Sequence, residues 1–169
     1  MKHTLVAWME DKPGVLNRVS SLFRRRNYNI ESLSVGHSEA PGISRMTIVV
    51  SGDDRVVDQV VRQLQKLINV TKVADVTSKA AVIRELALIK VKAVNGSRSE
   101  IIELTNIFRA RIVDVGTATV TVEITGPEDR VNSLIGLLEP FGIEEMTRTG
   151  RVAMVRGGDG SGSYDLNGA

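Results

Sequence analysis

The sequence predicts an α+β chain made of two β-α-β-β-α-β modules. Three observations predict it. Apolar periodicity alternates between the strand repeat and the helix repeat. The resulting order of elements occurs twice. Short stretches of the first half also recur in the second: Leu22-Phe23-Arg24-Arg25-Arg26 resembles Ile107-Phe108-Arg109-Ala110-Arg111, 85 residues on, and Ser51-Gly52 resembles Thr125-Gly126, 74 residues on. The second copy is therefore about ten residues shorter between its helices.

Residues 3–9 read as a strand of β-branched and aromatic content, ended by the breaker cluster Glu10-Asp11-Lys12-Pro13-Gly14. Val15, Leu16, Val19, Leu22 and Phe23 then fall on one face of a helix. Arg24-Arg25-Arg26 close it, which suits the negative end of its dipole. A strand follows over 29–38, with a turn at Glu39-Ala40-Pro41-Gly42 and a second strand over 43–51. Ser51-Gly52-Asp53-Asp54 opens a helix marked by Val56, Val57, Val60, Val61, Leu64, Leu67 and Ile68, and residues 70–76 form the fourth strand.

After a linker over 77–85 the order repeats. Residues 86–94 read as a strand, and Ser97 and Glu100 have capping-box spacing. Ile101, Leu104, Ile107 and Phe108 line the helix behind them. Two strands lie within 111–125, and Gly126-Pro127-Glu128-Asp129 opens the last helix with Pro in its first turn. Val131, Leu134, Ile135 and Leu138 form its buried face, and short strands follow over 143–149 and 151–155. Two copies of this order are two ferredoxin-like modules, over 2–77 and 78–156, each a four-stranded antiparallel sheet with both helices on one face. The Gly- and Ser-rich residues 157–169 read as a flexible tail. The helix-free sheet faces are apolar enough to call for a protein cover, which points to a homodimer formed by side-by-side sheets.

Composition excludes several function classes. Apolar residues make up 42% and charged residues 25% of the 169, ordinary globular values. Residues 1–76 hold eleven basic and eight acidic side chains and residues 77–169 hold eleven and twelve, so neither half is the footprint of a nucleic-acid binder. An RNA-recognition module shares this strand order but stacks bases on strand aromatics, and residues 43–51 and 86–94 have none. The absence of cysteine excludes disulfides, thiolate nucleophiles and sulfur-ligated zinc. His3 and His37 are the only imidazoles and read as edge or solvated residues, so no metal site is expected. No phosphate-binding loop, nucleophile elbow or His-Glu-x-x-His motif occurs. Asp53-Asp54 and Glu144-Glu145 read as capping and solvated pairs, so no catalytic residue is expected. No secretory signal is visible, and no apolar run approaches the roughly 18–20 residues of a membrane span. The expectation is a cytoplasmic protein without nucleic acid or membrane partners.

The informative segment is Glu10-Asp11-Lys12-Pro13-Gly14-Val15-Leu16, between the first strand and first helix. The first N–H groups of a helix lack intrahelical partners and sit at its positive end, where a carboxylate docks. Gly14 allows close approach to the backbone, and Pro13 stiffens the loop. Val15 and Leu16 place apolar carbon beside the polar notch. The combination suits a small molecule with a carboxylate and an aliphatic side chain, such as a branched amino acid. Asn29 offers an amide oxygen for its ammonium and Asp11 a charge. A capped strand-to-helix turn that binds nothing is the competing reading of the same residues.

Asp11-Lys12-Pro13-Gly14-Val15-Leu16, followed by a helix and a strand, resembles the signature of ACT domains, the amino-acid-sensing modules of biosynthetic enzymes. Asn27-Tyr28-Asn29-Ile30-Glu31-Ser32-Leu33, Ser44-Arg45-Met46-Thr47-Ile48 and Ile107-Phe108-Arg109-Ala110-Arg111-Ile112-Val113-Asp114-Val115 extend the match. They resemble the small regulatory subunits of acetohydroxyacid synthase (acetolactate synthase), over about residues 2–156. The resemblance implies that the first module is an ACT domain. It implies a non-catalytic subunit that binds and activates the catalytic large subunit and confers feedback inhibition by valine, sometimes by leucine or isoleucine, in branched-chain amino-acid biosynthesis. Thiamine diphosphate, Mg²⁺ and FAD would belong to that large subunit, with no cofactor in this one. The effector would lie at an ACT–ACT dimer interface. Asp11, Gly14, Val15 and Leu16 would come from one chain and Asn29 and Ile30 from the other. A stand-alone ACT sensor regulating another biosynthetic enzyme is the alternative.

Overall fold

The computed structural model describes residues 1–157, so the expected tail lies outside the described residues except for Gly157. The first half forms β1 (Lys2–Glu10), α1 (Val15–Arg25), β2 (Ile30–His37), β3 (Ile43–Ser51), α2 (Asp54–Gln65) and β4 (Val70–Asp75). The second forms β5 (Ala81–Lys92), α3 (Arg98–Ile107), β6 (Arg111–Val115), β7 (Thr119–Gly126), α4 (Glu128–Leu138), a 3-10 turn (Glu139–Phe141), β8 (Ile143–Arg148) and β9 (Val152–Val155). The α+β fold of two β-α-β-β-α-β modules is as the sequence predicts.

The first sheet has the order β2-β3-β1-β4 with every neighbour antiparallel. β1 and β2 both run against β3 and therefore point the same way. The register fixes the ends: Glu10 pairs with Ile43 and His3 with Val50, while Ile30 pairs with Val50 and His37 with Ser44. Leu5, Ala7 and Met9 of β1 pack with Val19, Phe23, Val60 and Leu64 of the two helices. This buried cluster is what the helical apolar spacing anticipates.

The second sheet has the order β6-β7-β5-β8, with β9 also paired to β5. Ile89, Ile101, Val122, Leu134 and Leu138 form its core. Two compact units result, Met1–Val82 with residues 151–157, and Ile83–Gly150. Residues 78–82 and 151–156 thus group with the first unit, whereas the sequence places them in the second module.

Three further differences have physical causes. The expected linker over 77–85 is strand from Ala81 on. Arg84-Glu85 makes it look like a loop, but Glu85 is buried at 4% exposure under a two-pronged bond from Arg148, Nε at 2.5 Å and Nη2 at 3.0 Å. The capping box at Ser97 does not form. Ser97 takes helical angles (φ −68°, ψ −13°), and its Oγ donates to the Val94 carbonyl at 2.7 Å. The helix-free face of the first sheet needs no second copy to cover it. Val6 and Trp8 are 0% and 2% exposed in a single chain. Within the first unit, Arg45 donates to the Ala153 carbonyl at 2.7 Å and Arg151 to Thr4 Oγ1 at 3.4 Å. The face of the first sheet therefore gives no reason for a homodimer, whereas on the second sheet Met146 is 42% exposed.

Glu85 is the one acidic residue buried among the described residues, and Arg148 is its partner. Arg148→Ala strands a carboxylate in the interior and should lower stability by about 3–5 kcal/mol in urea denaturation. A loss below about 1 kcal/mol, the scale of an exposed pair, would show that Glu85 finds water.

Candidate functional site

The loop after β1 is built around an uncapped helix. Gly14 is the N-cap of α1, in a left-handed conformation (φ 87°, ψ −11°), and no side chain caps the first turn. A Cβ placed on Gly14 would meet nothing within 4 Å, so the backbone there faces open space. α2 resolves the same end differently, with Asp53 accepting from the Val56 N–H at 2.9 Å. The first unit therefore has one helix start closed by a side chain and one without a side-chain cap.

The open loop is firmly anchored. The Glu10 N–H donates to the Asn69 carbonyl at 2.9 Å and the Asp11 N–H to the Gly42 carbonyl at 2.8 Å. Asn69 Nδ2 donates to Glu10 Oε2 at 2.6 Å, and Arg18 Nη1 donates to Asn69 Oδ1 at 2.6 Å. Lys12 Nζ lies 3.2 Å from the same Glu10 oxygen. The Asn69 amide, and after it Lys12, holds the Glu10 carboxyl below the usual carboxylate range. Asn69, Gly42 and Glu10 carry no signal in local spacing; only the folded sheet brings them together.

Asp11, Gly14, Val15 and Leu16 are gathered at this end of the sheet. Asp11 is exposed, and its Oδ2 lies 3.1 Å from His37 Nδ1, at the end of β2. Leu16 is 48% exposed, but Val15 is buried in the core. Val15 therefore lends no apolar side chain to the notch, contrary to what the sequence suggests, and its N–H donates to the Lys12 carbonyl at 3.4 Å. Asn29 and Ile30 lie elsewhere. Ile30 opens β2, level with Val50 and His3, and Asn29 precedes it, a strand length of about 20 Å from the loop at ~3.3 Å per residue. Asn29 is exposed and its Nδ2 donates to Glu31 Oε1 at 3.0 Å. Ile30 is half-buried against the core.

The histidines divide. His37 is exposed as expected, whereas His3 is 4% exposed, with Asp54 and Asp75 carboxylates at 3.8 and 3.9 Å. Among the described residues no group of three or more His, Cys, Asp or Glu could hold a metal ion, and no helix is long and apolar enough to cross a membrane.

Comparison with known proteins assigns both halves. Residues 5–72 match a family described as an AHAS small subunit-like ACT domain, and residues 84–157 match the family of the small subunit of acetolactate synthase. The chain belongs to the acetolactate synthase small-subunit family. A probable acetolactate synthase small subunit of Archaeoglobus fulgidus is 58% identical over 157 residues, 93% of this chain and 98% of that protein. An acetolactate synthase small subunit of Mycobacterium bovis is 52% identical over 161 residues, 95% of this chain and 96% of that protein. The crystal structure of the small subunit from Thermotoga maritima superposes with a TM-score of 0.87 at 42% identity, covering 94% of this chain and 99% of that one. The loop at Gly14 and the start of β2 both lie within the ACT match of this small subunit.

The lowered Glu10 pKa has a definite sign. The folded loop favours the ionised carboxylate, so its contribution is present above the usual glutamate range and is lost as pH falls through the lowered value. Amide-exchange protection over residues 10–16 should hold near neutrality and fall in acid. Glu10→Ala should already show the lower protection at neutral pH and little further change. Equal acid responses in both proteins would remove Glu10 as the anchor.

Proposed function

We propose that this chain is the non-catalytic regulatory subunit of an acetolactate synthase. It binds the catalytic large subunit, raises its activity and makes it sensitive to valine or a related branched-chain amino acid. Thiamine diphosphate, Mg²⁺ and FAD would reside on the large subunit, and both subunits would work in the cytoplasm. Family membership supports the general role, and the loop chemistry supports the effector. The first N–H groups of α1 suit a carboxylate, Asp11 suits an ammonium, and exposed Leu16 suits an aliphatic side chain.

The observation that carries the reading is the position of β2. It is an edge strand, and its last residue, His37, lies against the loop through Asp11. Its outer row of backbone groups is free to pair with another strand. Two copies pairing their β2 edges antiparallel about a two-fold axis would set the start of one β2 beside the end of the other. Asn29 and Ile30 of one copy would then approach Asp11 and Gly14 of the second. A dimer of this kind rests on the sheet edge and not on the sheet face. An effector held between copies regulates only if it binds two arrangements of them unequally.

Gly14→Asp tests the site. The position is open, so the fold should tolerate it, at a cost of ~1 kcal/mol for the left-handed backbone. A negative charge at the helix start should weaken valine binding by calorimetry about 30-fold, the equivalent of ~2 kcal/mol. The reconstituted holoenzyme should keep its activation and lose valine inhibition. Unchanged inhibition by valine would move the effector elsewhere.

A further inference from the structure

The helix faces of the two units carry opposite charge. α1 and α2 with their C-caps hold seven basic and two acidic residues, while α3 and α4 with theirs hold two and five. No acidic residue falls between Lys12 and Ile30 or between Gln59 and Ala74. Arg24, Arg25, Arg26, Arg62 and Lys66 are exposed and make no ion pair among the described residues. On α3 and α4 the two cations are already engaged: Arg98 donates to the Gly116 and Thr117 carbonyls, and Arg130 to the Phe108 carbonyl. The exposed carboxylates Glu100, Glu103, Asp129 and Glu139 are left to set the sign of that face.

Helix dipoles explain only half of this pattern. Cations suit the C-terminal ends of α1 and α2. Glu139, however, sits at the C-cap of α4, where negative charge is disfavoured, and the last turns of α3 and α4 have no basic residue. Shape follows charge. Between α1 and α2 runs a groove of about 290 Å³ with Leu22 and Leu67 among its walls and Arg25, Arg26, Gln63 and Lys66 completing it. α3 and α4, the helices that carry those carboxylates, also expose Ile102 and Leu137.

We propose that copies of this chain associate through these faces, the α1/α2 face of one copy receiving the α3/α4 face of a second. The chain itself carries the matched partner for its basic groove, apolar against apolar and cation against carboxylate. The contact joins two different surfaces, so it either closes into a ring or continues into larger assemblies. A net charge of +2 on 169 residues opposes this little. Because the charges are exposed, the attraction is screened by salt.

Sedimentation velocity of the full chain at about 50 mM and about 500 mM salt tests the contact, since the screening length falls several-fold between them. The low-salt sample should contain a larger species that the high-salt sample lacks. The double variant Arg25→Glu, Lys66→Glu and the double variant Glu103→Lys, Glu139→Lys should each weaken that species about tenfold or more. Mixed in equal amounts they should restore it, because each reversed face again meets its opposite. Restoration also shows that both variants are folded. Equal mass at the two salt concentrations would overturn the proposal. So would a low-salt species that neither variant weakens, or folded variants, by circular dichroism, that do not recover on mixing.

Discussion

Strand β3 runs antiparallel to both β1 and β2, so those two strands point the same way within one sheet. The loop leaving β1 and the residues entering β2 must then lie at opposite ends of that sheet. A separation of about 20 Å is several times the span of an amino acid, and no side-chain rotation closes it. Any site that uses both ends has to be assembled from two chains. The edge position of β2 supplies a way to do so, because an antiparallel pair of edges exchanges the two ends. A ligand held between such edges would report on how two copies meet, which is the physical requirement for coupling its binding to a distant partner.

The loop itself combines a rigid frame with an open centre. Asn69 joins Glu10 to Arg18 through both of its amide atoms, and the Gly42 carbonyl fixes the Asp11 backbone. Gly14 leaves the first turn of α1 without a side-chain cap. Were that end closed as Asp53 closes α2, its N–H groups would be spent internally. Rigidity around the opening would favour affinity in the proposed site, because a loop held in one geometry loses little entropy when a ligand arrives.

How much of this was legible in the sequence depends on the range of the interaction. Strand 43–51 and the helix start at Val15 follow from nearest-neighbour patterns and are found where expected. The place of Gly14 and Asp11 in the loop before α1 is legible for the same reason, since a helix start and its loop are contiguous. Glu85, Ser97 and His3 were not. Arg148, which buries Glu85, is 63 residues away. Ser97 has the right spacing to Glu100 but turns its hydroxyl back to Val94. His3 is buried at a strand start that spacing alone marks as an edge. In each case a contact remote in sequence, or a competing short one, outweighs the local rule.

The internal repeat shows how the proposed amino-acid site would be confined to the first unit. The corresponding loop of the second unit, Val94-Asn95-Gly96-Ser97, also turns through left-handed backbone, with φ of 54° at Asn95 and 80° at Gly96. Its hydroxyl, however, is committed to the Val94 carbonyl, and the Arg98 guanidinium crosses to the Gly116 and Thr117 carbonyls. Between Leu86 and Ser99 there is no acidic residue. An amino acid brings both charges, and a notch that offers only helix N–H groups leaves the ammonium without a counter-charge. Asp11 in the first loop would remove that deficit, so of two loops that both pass through left-handed backbone only the first carries a carboxylate for an ammonium.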